Sequence, residues 1–222
     1  MNIKQTGFGR MGQIVSAMID EKEDMQETEM AEADVIIDFS HPDMLQTIID
    51  AEKPSVIATT GYTDEQTEQI KKLAEKVPVV FSANYSLGIT VMKRVLSEIA
   101  PILEKDFDME LIEAHHNQKL DAPSGTAKML VDAMDPKGEY ERVYGRSGMA
   151  KRQKEIGVHA VRGGTIAGEH QAIFAGEDEI LEITHKAGSR RIFAAGALKA
   201  AEFVCGRNPG LYTMDDILFG EK

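Results

Sequence analysis

The chain is short of cysteine, of positive charge and of long apolar runs, and each shortage removes a class of protein. A single cysteine, Cys205, excludes an intrachain disulfide. With 25 Lys and Arg against 37 Asp and Glu the formal charge is -12, and no basic block is present to follow a nucleic-acid backbone. No apolar run approaches the ~20 residues that a membrane-crossing helix needs, and the first residues lack the basic-then-apolar profile of a secretory signal. The expectation is a cytoplasmic protein with neither nucleic-acid nor membrane partners. Hydrophobic residues make up 42% of the 222, enough core for one large domain or two small ones.

What is present starts with Gly7-Phe8-Gly9-Arg10-Met11-Gly12, placed after a short apolar run and before a stretch of helical period. That is the dinucleotide spacing G-x-G-x-x-G in the setting it requires. The first glycine permits a tight turn, the second lets backbone approach a pyrophosphate, and the third lets helix and strand pack closely. Strand-like runs at 35–39, 55–59 and 77–81 then alternate with helical patterns at 43–51 and 64–75, which predicts a parallel sheet. Two of those runs end in small or polar residues, Ala58-Thr59-Thr60 and Ser82-Ala83-Asn84-Tyr85, where such a sheet binds its ligand. Residues 20–34 break the pattern. They carry eight acids and one lysine with little strand character, so the second strand is expected to be very short or missing.

The densest chemistry lies at 110–127. A strand-like run at 107–112 leads into Glu113-Ala114-His115-His116-Asn117-Gln118-Lys119-Leu120-Asp121-Ala122-Pro123-Ser124-Gly125-Thr126, and a helical pattern resumes near Thr126. Such a strand-to-helix loop offers an imidazole that titrates near neutral pH, an ammonium for a substrate carboxylate, and helix-start amides for an anion. Paired histidines also suit metals, but no cysteine or acidic triad at metal spacing accompanies them, so no metal is expected.

The remainder reads as an amphipathic helix at 88–103, a polar, glycine-bearing loop at 136–154, and strand-like runs at 157–162, 170–175 and 180–185. These runs alternate and are split by glycine turns, which predicts a mostly antiparallel open sheet. A helical pattern at 192–204 and a turn capped by Thr213 close the chain. The fold expected is therefore α/β, with a Rossmann-like parallel sheet shortened at its second strand and a C-terminal α+β part. The domains would be 1–86 plus about 190–222 for the dinucleotide, and 87–189 for substrate and oligomerisation. His159, His170 and His185 are expected to be packing or surface residues, with His159 and Arg162 able to border the site.

Together these segments resemble the dihydrodipicolinate reductase (4-hydroxy-tetrahydrodipicolinate reductase) family. The stretch from Glu113 to Thr126 matches that family's motif from end to end, with further matches at Arg10-Met11-Gly12, Asp38-Phe39-Ser40, Thr59-Thr60-Gly61, Asn84-Tyr85-Ser86, Arg162-Gly163-Gly164-Thr165 and Thr184-His185. The resemblance implies hydride transfer from NADH or NADPH to a six-membered cyclic imine dicarboxylate in lysine and diaminopimelate biosynthesis. It implies His115 as proton donor and acceptor, and Lys119 as second donor and carboxylate partner. His116, Ser124, Gly125 and Thr126 would bind substrate. The cofactor would be lined by Gly7, Phe8, Gly9, Arg10, Met11, Gly12, Ala58, Thr59, Thr60, Ser82, Ala83, Asn84 and Tyr85. The acidic segment favours NADH slightly over NADPH, and the family's form implies a homotetramer built through the C-terminal sheet. Two rivals are a shortened relative that binds dinucleotide with little or no turnover, and a nicotinamide enzyme acting on an amino or keto dicarboxylate.

Overall fold

The computed structural model describes residues 1–220, which divide into two compact units, Met1–Leu87 with the C-terminal segment from Arg190, and Gly88–Ser189. The first unit opens with β1 (Asn2–Thr6), α1 (Arg10–Asp20), β2 (Gln26–Glu27) and β3 (Val35–Asp38). It continues through α2 (Leu45–Ala51), β4 (Ser55–Ile57), α3 (Asp64–Ala74) and β5 (Pro78–Phe81). The second unit holds α4 (Leu87–Leu103), β6 (Asp108–His115), α5 (Gly125–Met134), β7 (Glu141–Tyr144), β8 (Glu155–Arg162), β9 (Glu169–Ala175) and β10 (Ile180–Lys186). The chain then returns to the first unit with α6 (Arg191–Val204), β11 (Gly210–Tyr212) and α7 (Met214–Phe219).

The first unit is a six-stranded sheet in the order β11-β5-β4-β3-β1-β2, with every pairing parallel. Its central strands β3 and β4 are buried throughout, as near-continuous runs such as Val35-Ile36-Ile37 require. One face packs Ile3, Ile37 and Val56 against Val15 and Ile19 of α1 and Ala194, Ala197 and Ala201 of α6. The other packs Ile36, Ile57 and Val79 against α2 and α3. Local signals agree with this tertiary demand. Helix α3 begins in a reciprocal capping box, where Thr63 Oγ1 accepts from Gln66 N at 3.2 Å and Thr63 N donates to Gln66 Oε1 at 3.0 Å.

The second strand is short as expected. Only Asn2 with Gln26 and Ile3 with Glu27 pair, and the chain then turns through the 3-10 segment Met30–Glu32 into β3. Charge rather than apolar surface dominates residues 20–34, and only Met25, Met30 and Ala33 turn inward, too few and too scattered to pattern a longer strand. Lys4 answers one of the acids, Glu29, at 3.2 Å.

The second unit is a five-stranded sheet ordered β10-β9-β6-β8-β7. The runs from 157 and 170 are not hairpin neighbours, because β6 lies between them, antiparallel to β9 and parallel to β8. The sheet is therefore mixed, antiparallel on the β9–β10 side and parallel on the β7–β8 side. Strand β7 falls in the stretch expected to be a polar loop. Its four half-exposed or exposed residues carry no strong alternation, and it is held by parallel pairing with β8. Helices α4 and α5 cover one face through Met92, Leu96, Leu130 and Val131, which pack on Met109, Leu111, Val158 and Phe174.

Candidate active site

In the first unit, parallel pairing puts the ends of β1, β4 and β5 at one edge of the sheet, so the three loops singled out in the sequence share that edge. The glycine loop is sterically determined. A Cβ on Gly7, whose φ is +156°, would stand 2.4 Å from the Phe39 carbonyl oxygen, and one on Gly12 would stand 1.7 Å from the Gly7 carbonyl oxygen. Gly9 differs, since an added Cβ there would meet nothing within 4 Å. Gly9 also caps α1 without a side-chain hydrogen bond, and no acid occupies the first turn. An uncapped helix start with open space above it suits a pyrophosphate, so these residues fit a dinucleotide. Phe8 and Arg10 flank this opening and are exposed, while Met11 is half-buried.

The other two loops are partly committed to holding themselves in place. Ala58 and Thr59 are buried, and Thr59 Oγ1 accepts from Ser40 N at 2.8 Å, while Thr60 is exposed. Ser82 Oγ donates to Asn84 O at 2.9 Å, and Asn84 Oδ1 accepts from Ser86 N at 2.8 Å, which closes the turn around exposed Ala83. The Tyr85 hydroxyl is buried at 2.9 Å from Ile57 O and 3.0 Å from Val80 O. Its side chain is thus a strut between strands, and only its backbone is left for a cofactor. Burial raises the Tyr85 phenol well above its usual range, so it stays protonated as this role requires.

In the second unit, β6 delivers Glu113 and His115 to the helix-covered side of the sheet, two residues apart on one face. Glu113 has no exposed surface and collects several donors. His115 Nδ1 lies 2.5 Å from Oε2, Arg162 Nη1 and Nη2 donate to Oε2 and Oε1 at 2.8 Å each, and Ser124 N donates to Oε1 at 3.0 Å. Burial pushes the Glu113 carboxyl upward, but the hydrogen bonds from Arg162, His115 and the Ser124 amide outweigh it and hold it below the ordinary range. An ionised carboxylate on Nδ1 keeps the proton there and leaves Nε2 as the nitrogen that exchanges protons. Gly168 gives that nitrogen room, since a Cβ there would stand 3.2 Å from it.

Lys119 Nζ lies 2.8 Å from Asp121 Oδ1, and this bond holds the Asp121 carboxyl below its usual range. The backbone between them and His115 is tight, with Lys119 N donating to His116 O at 3.1 Å. Ser124 then caps α5 by accepting from Ala127 N at 3.1 Å. Gly125 and Thr126 supply the next amides, and Gly125 opens onto free space. The structure thus puts His115 at the end of β6, Ser124, Gly125 and Thr126 at the start of α5, and His116 and Lys119 on the loop between them.

Three residues around His115 carry little or no task in the sequence reading. Glu113 stands in the motif without a role of its own, Arg162 is expected only at the border of the site, and His170 is expected to be a packing or surface residue, in keeping with its burial. His170 is 4% exposed, its ring centroid is 5.3 Å from that of His115, and its Nε2 lies 3.3 Å from Ser124 Oγ. Burial first, and the His115 imidazole second, push its pKa down to about 4. Its Nδ1 has no hydrogen-bond partner among the described residues. Only strand register could reveal it, because His170 stands opposite Glu113 across β9 and β6. Among the described residues no cluster of three His, Cys, Asp or Glu is arranged for a metal.

The family model described as dihydrodipicolinate reductase, C-terminus, matches residues 88–218, and that for the N-terminus matches residues 23–85. The chain belongs to the dihydrodipicolinate reductase family. It is 49% identical over 193 residues to the 4-hydroxy-tetrahydrodipicolinate reductase of Clostridium novyi (strain NT), covering 84% of this chain and 77% of that one. It is 44% identical to the enzyme of the same name from Brachyspira hyodysenteriae (strain ATCC 49526 / WA1), covering 98% of this chain and all of the relative. The dipicolinate-bound reductase of Paenisporosarcina sp. TG-14 shares the fold with a TM-score of 0.79 at 22% identity, covering 98% of both chains. Family membership makes the chain a 4-hydroxy-tetrahydrodipicolinate reductase, an NAD(P)H-dependent oxidoreductase.

Proposed function

We propose that this reductase works through His115 as proton source and Lys119, with His116 and the Ser124-Gly125-Thr126 helix start, as the binding set for a cyclic imine dicarboxylate. The observation that carries the assignment is the His115 ring itself, anchored through Nδ1 on buried Glu113 with Nε2 left to move a proton. A reduced nicotinamide supplies the hydride. The protein must then protonate the electron-rich enamine that results, a task worth about 10² to 10⁴ in rate for a well-placed imidazole. Lys119 and the first amides of α5 answer the two negative charges of the substrate.

The first unit takes the dinucleotide on Gly7 to Gly12, Ala58 to Thr60 and Ser82 to Tyr85, and the second unit takes substrate and subunit contacts. NADH is favoured over NADPH, because the segment from Asp20 to Asp34 would repel a 2′-phosphate and Lys4 beside it is already paired with Glu29. The product feeds lysine and diaminopimelate synthesis in the cytoplasm. The open face of the second sheet, with Val161 and Ile180 exposed, supports a homotetramer built there. The Brachyspira relative speaks against the reading of a shortened, idle protein, since this chain spans all of it. Steady-state kcat/KM with each cofactor and the cyclic imine, together with calorimetric titration of each cofactor, tests the assignment. Absence of turnover in a folded protein that binds neither dinucleotide would overturn it, and light scattering of the eluted protein decides the tetramer.

A further inference from the structure

We propose that Glu113 and Arg162 form a positioning pair with opposed effects on His115, Glu113 fixing its tautomer and drawing a proton to it, Arg162 limiting that pull. This rests on the reading of His115 as the proton source. The geometry has one buried anion shared by two cationic or proton-bearing groups. Arg162 holds both Glu113 oxygens at 2.8 Å, and the same guanidinium donates to Asp121 O at 2.7 Å and to Val161 O at 2.7 Å. It is therefore braced by backbone as well as by the carboxylate.

A carboxylate alone at 2.5 Å in a buried site would favour the imidazolium strongly, leaving a poor proton donor. A bidentate arginine on the same carboxylate competes for its charge and so weakens the pull of Glu113 on the ring. The other titratable groups that face the pair carry no competing fixed charge. His170 from β9 is uncharged near neutral pH, His185 on β10 pairs with His170 across the strands and is likewise pushed down by burial, and Lys119 is matched by Asp121. His116 follows His115 in the chain and is half-buried. Glu113 and Arg162 are thus the two fixed charges joined to the ring by a hydrogen-bonded chain.

The test is a comparison of Glu113→Gln, Arg162→Gln and Arg162→Lys with the parent protein. Ring titration of His115 by NMR in the unliganded protein gives the first readout, and the pH profile of kcat gives the second. Glu113→Gln keeps an acceptor for Ser124 N but removes the charge, so the His115 pKa and the alkaline limb of kcat should move down by about one unit or more. Arg162→Gln should move both up by a similar amount, and Arg162→Lys, which keeps the charge, should stay near the parent. Shifts in the same direction from the two charge-removing variants, or no shift in either, would overturn the pairing. A merely structural role would lower kcat without moving the titration. Opposite NMR shifts with an unmoved kcat limb would instead leave the pair standing and remove His115 as the proton source.

Discussion

Replacing Gly196 by alanine sets two well-defined effects against each other. Gly196 lies in the middle of α6, and helix propensity alone predicts that Gly196→Ala stabilises the protein by about 1 kcal/mol. The structure predicts the opposite sign. A Cβ at this position would stand 1.7 Å from the carbonyl oxygen of Tyr85, whereas carbon and oxygen sit comfortably at about 3.3 Å, so a displacement of roughly 1.5 Å is required. The obstacle is backbone, and the Tyr85 residue is pinned by its hydroxyl to Ile57 O and Val80 O. Overpacking costs about 1–3 kcal/mol and sometimes more, and an obstacle of pinned backbone belongs to the upper part of that range, so after the propensity gain a net loss of about 1–2 kcal/mol remains. The turn that moves is the Ser82 to Tyr85 loop, so dinucleotide affinity should weaken alongside stability. Urea unfolding with a shared m-value, and nicotinamide fluorescence titration, measure the two effects. A variant as stable as the parent, or more so, would refute the close approach of α6 to this loop.

Other expected outcomes concern the site itself. His115→Gln should lower kcat by about tenfold or more with little change in KM, since its proton is needed mainly in the transition state, and an unchanged kcat would remove it from the chemistry. Lys119→Ala should raise the KM for the dicarboxylate far more than that for the dinucleotide; equal losses would argue against a carboxylate contact. The unfolded His170 ring takes a proton near pH 6.5 and the folded one only near 4, so acidification through that window favours unfolding. The full loss is on the order of 3 kcal/mol, most of it present by about pH 4, and His170→Gln should flatten the fall in denaturation midpoint between pH 6.5 and 5, before carboxylate protonation dominates.

Much of the architecture was legible because periodicity and turn chemistry pointed the same way. The strands from Val35, Ser55 and Pro78 are continuous apolar runs bounded by polar ends, and Thr63 announces its helix through Gln66. Strands β7 and β11 were not legible. The first is four residues without a buried face and the second is Gly210-Leu211-Tyr212, so each exists only because a neighbouring strand offers it a ladder. The stretch from Glu113 to Thr126 was visible as a motif, yet the support beneath it was not. Which residue stands across from Glu113 depends on β9 pairing with one edge of β6 and β8 with the other, and a linear spacing of 49 residues between Glu113 and Arg162 carries no trace of that.

The return of the chain to its first sheet has a consequence for how the protein is made. The ribosome releases β1 to β5 long before α6, whose alanines pack against Ile3, Val15, Val35 and Val56, and before β11, which covers the edge of β5. Until the last segment emerges, the amino-terminal sheet has one incompletely covered face and one unpaired edge. The middle unit, by contrast, is continuous in sequence and has its own core. Synthesis from the amino terminus therefore lets the later-made unit complete its core first, while the earlier-made sheet waits for the carboxyl-terminal helix, and a nascent chain halted near residue 189 exposes the apolar surface that chaperones bind.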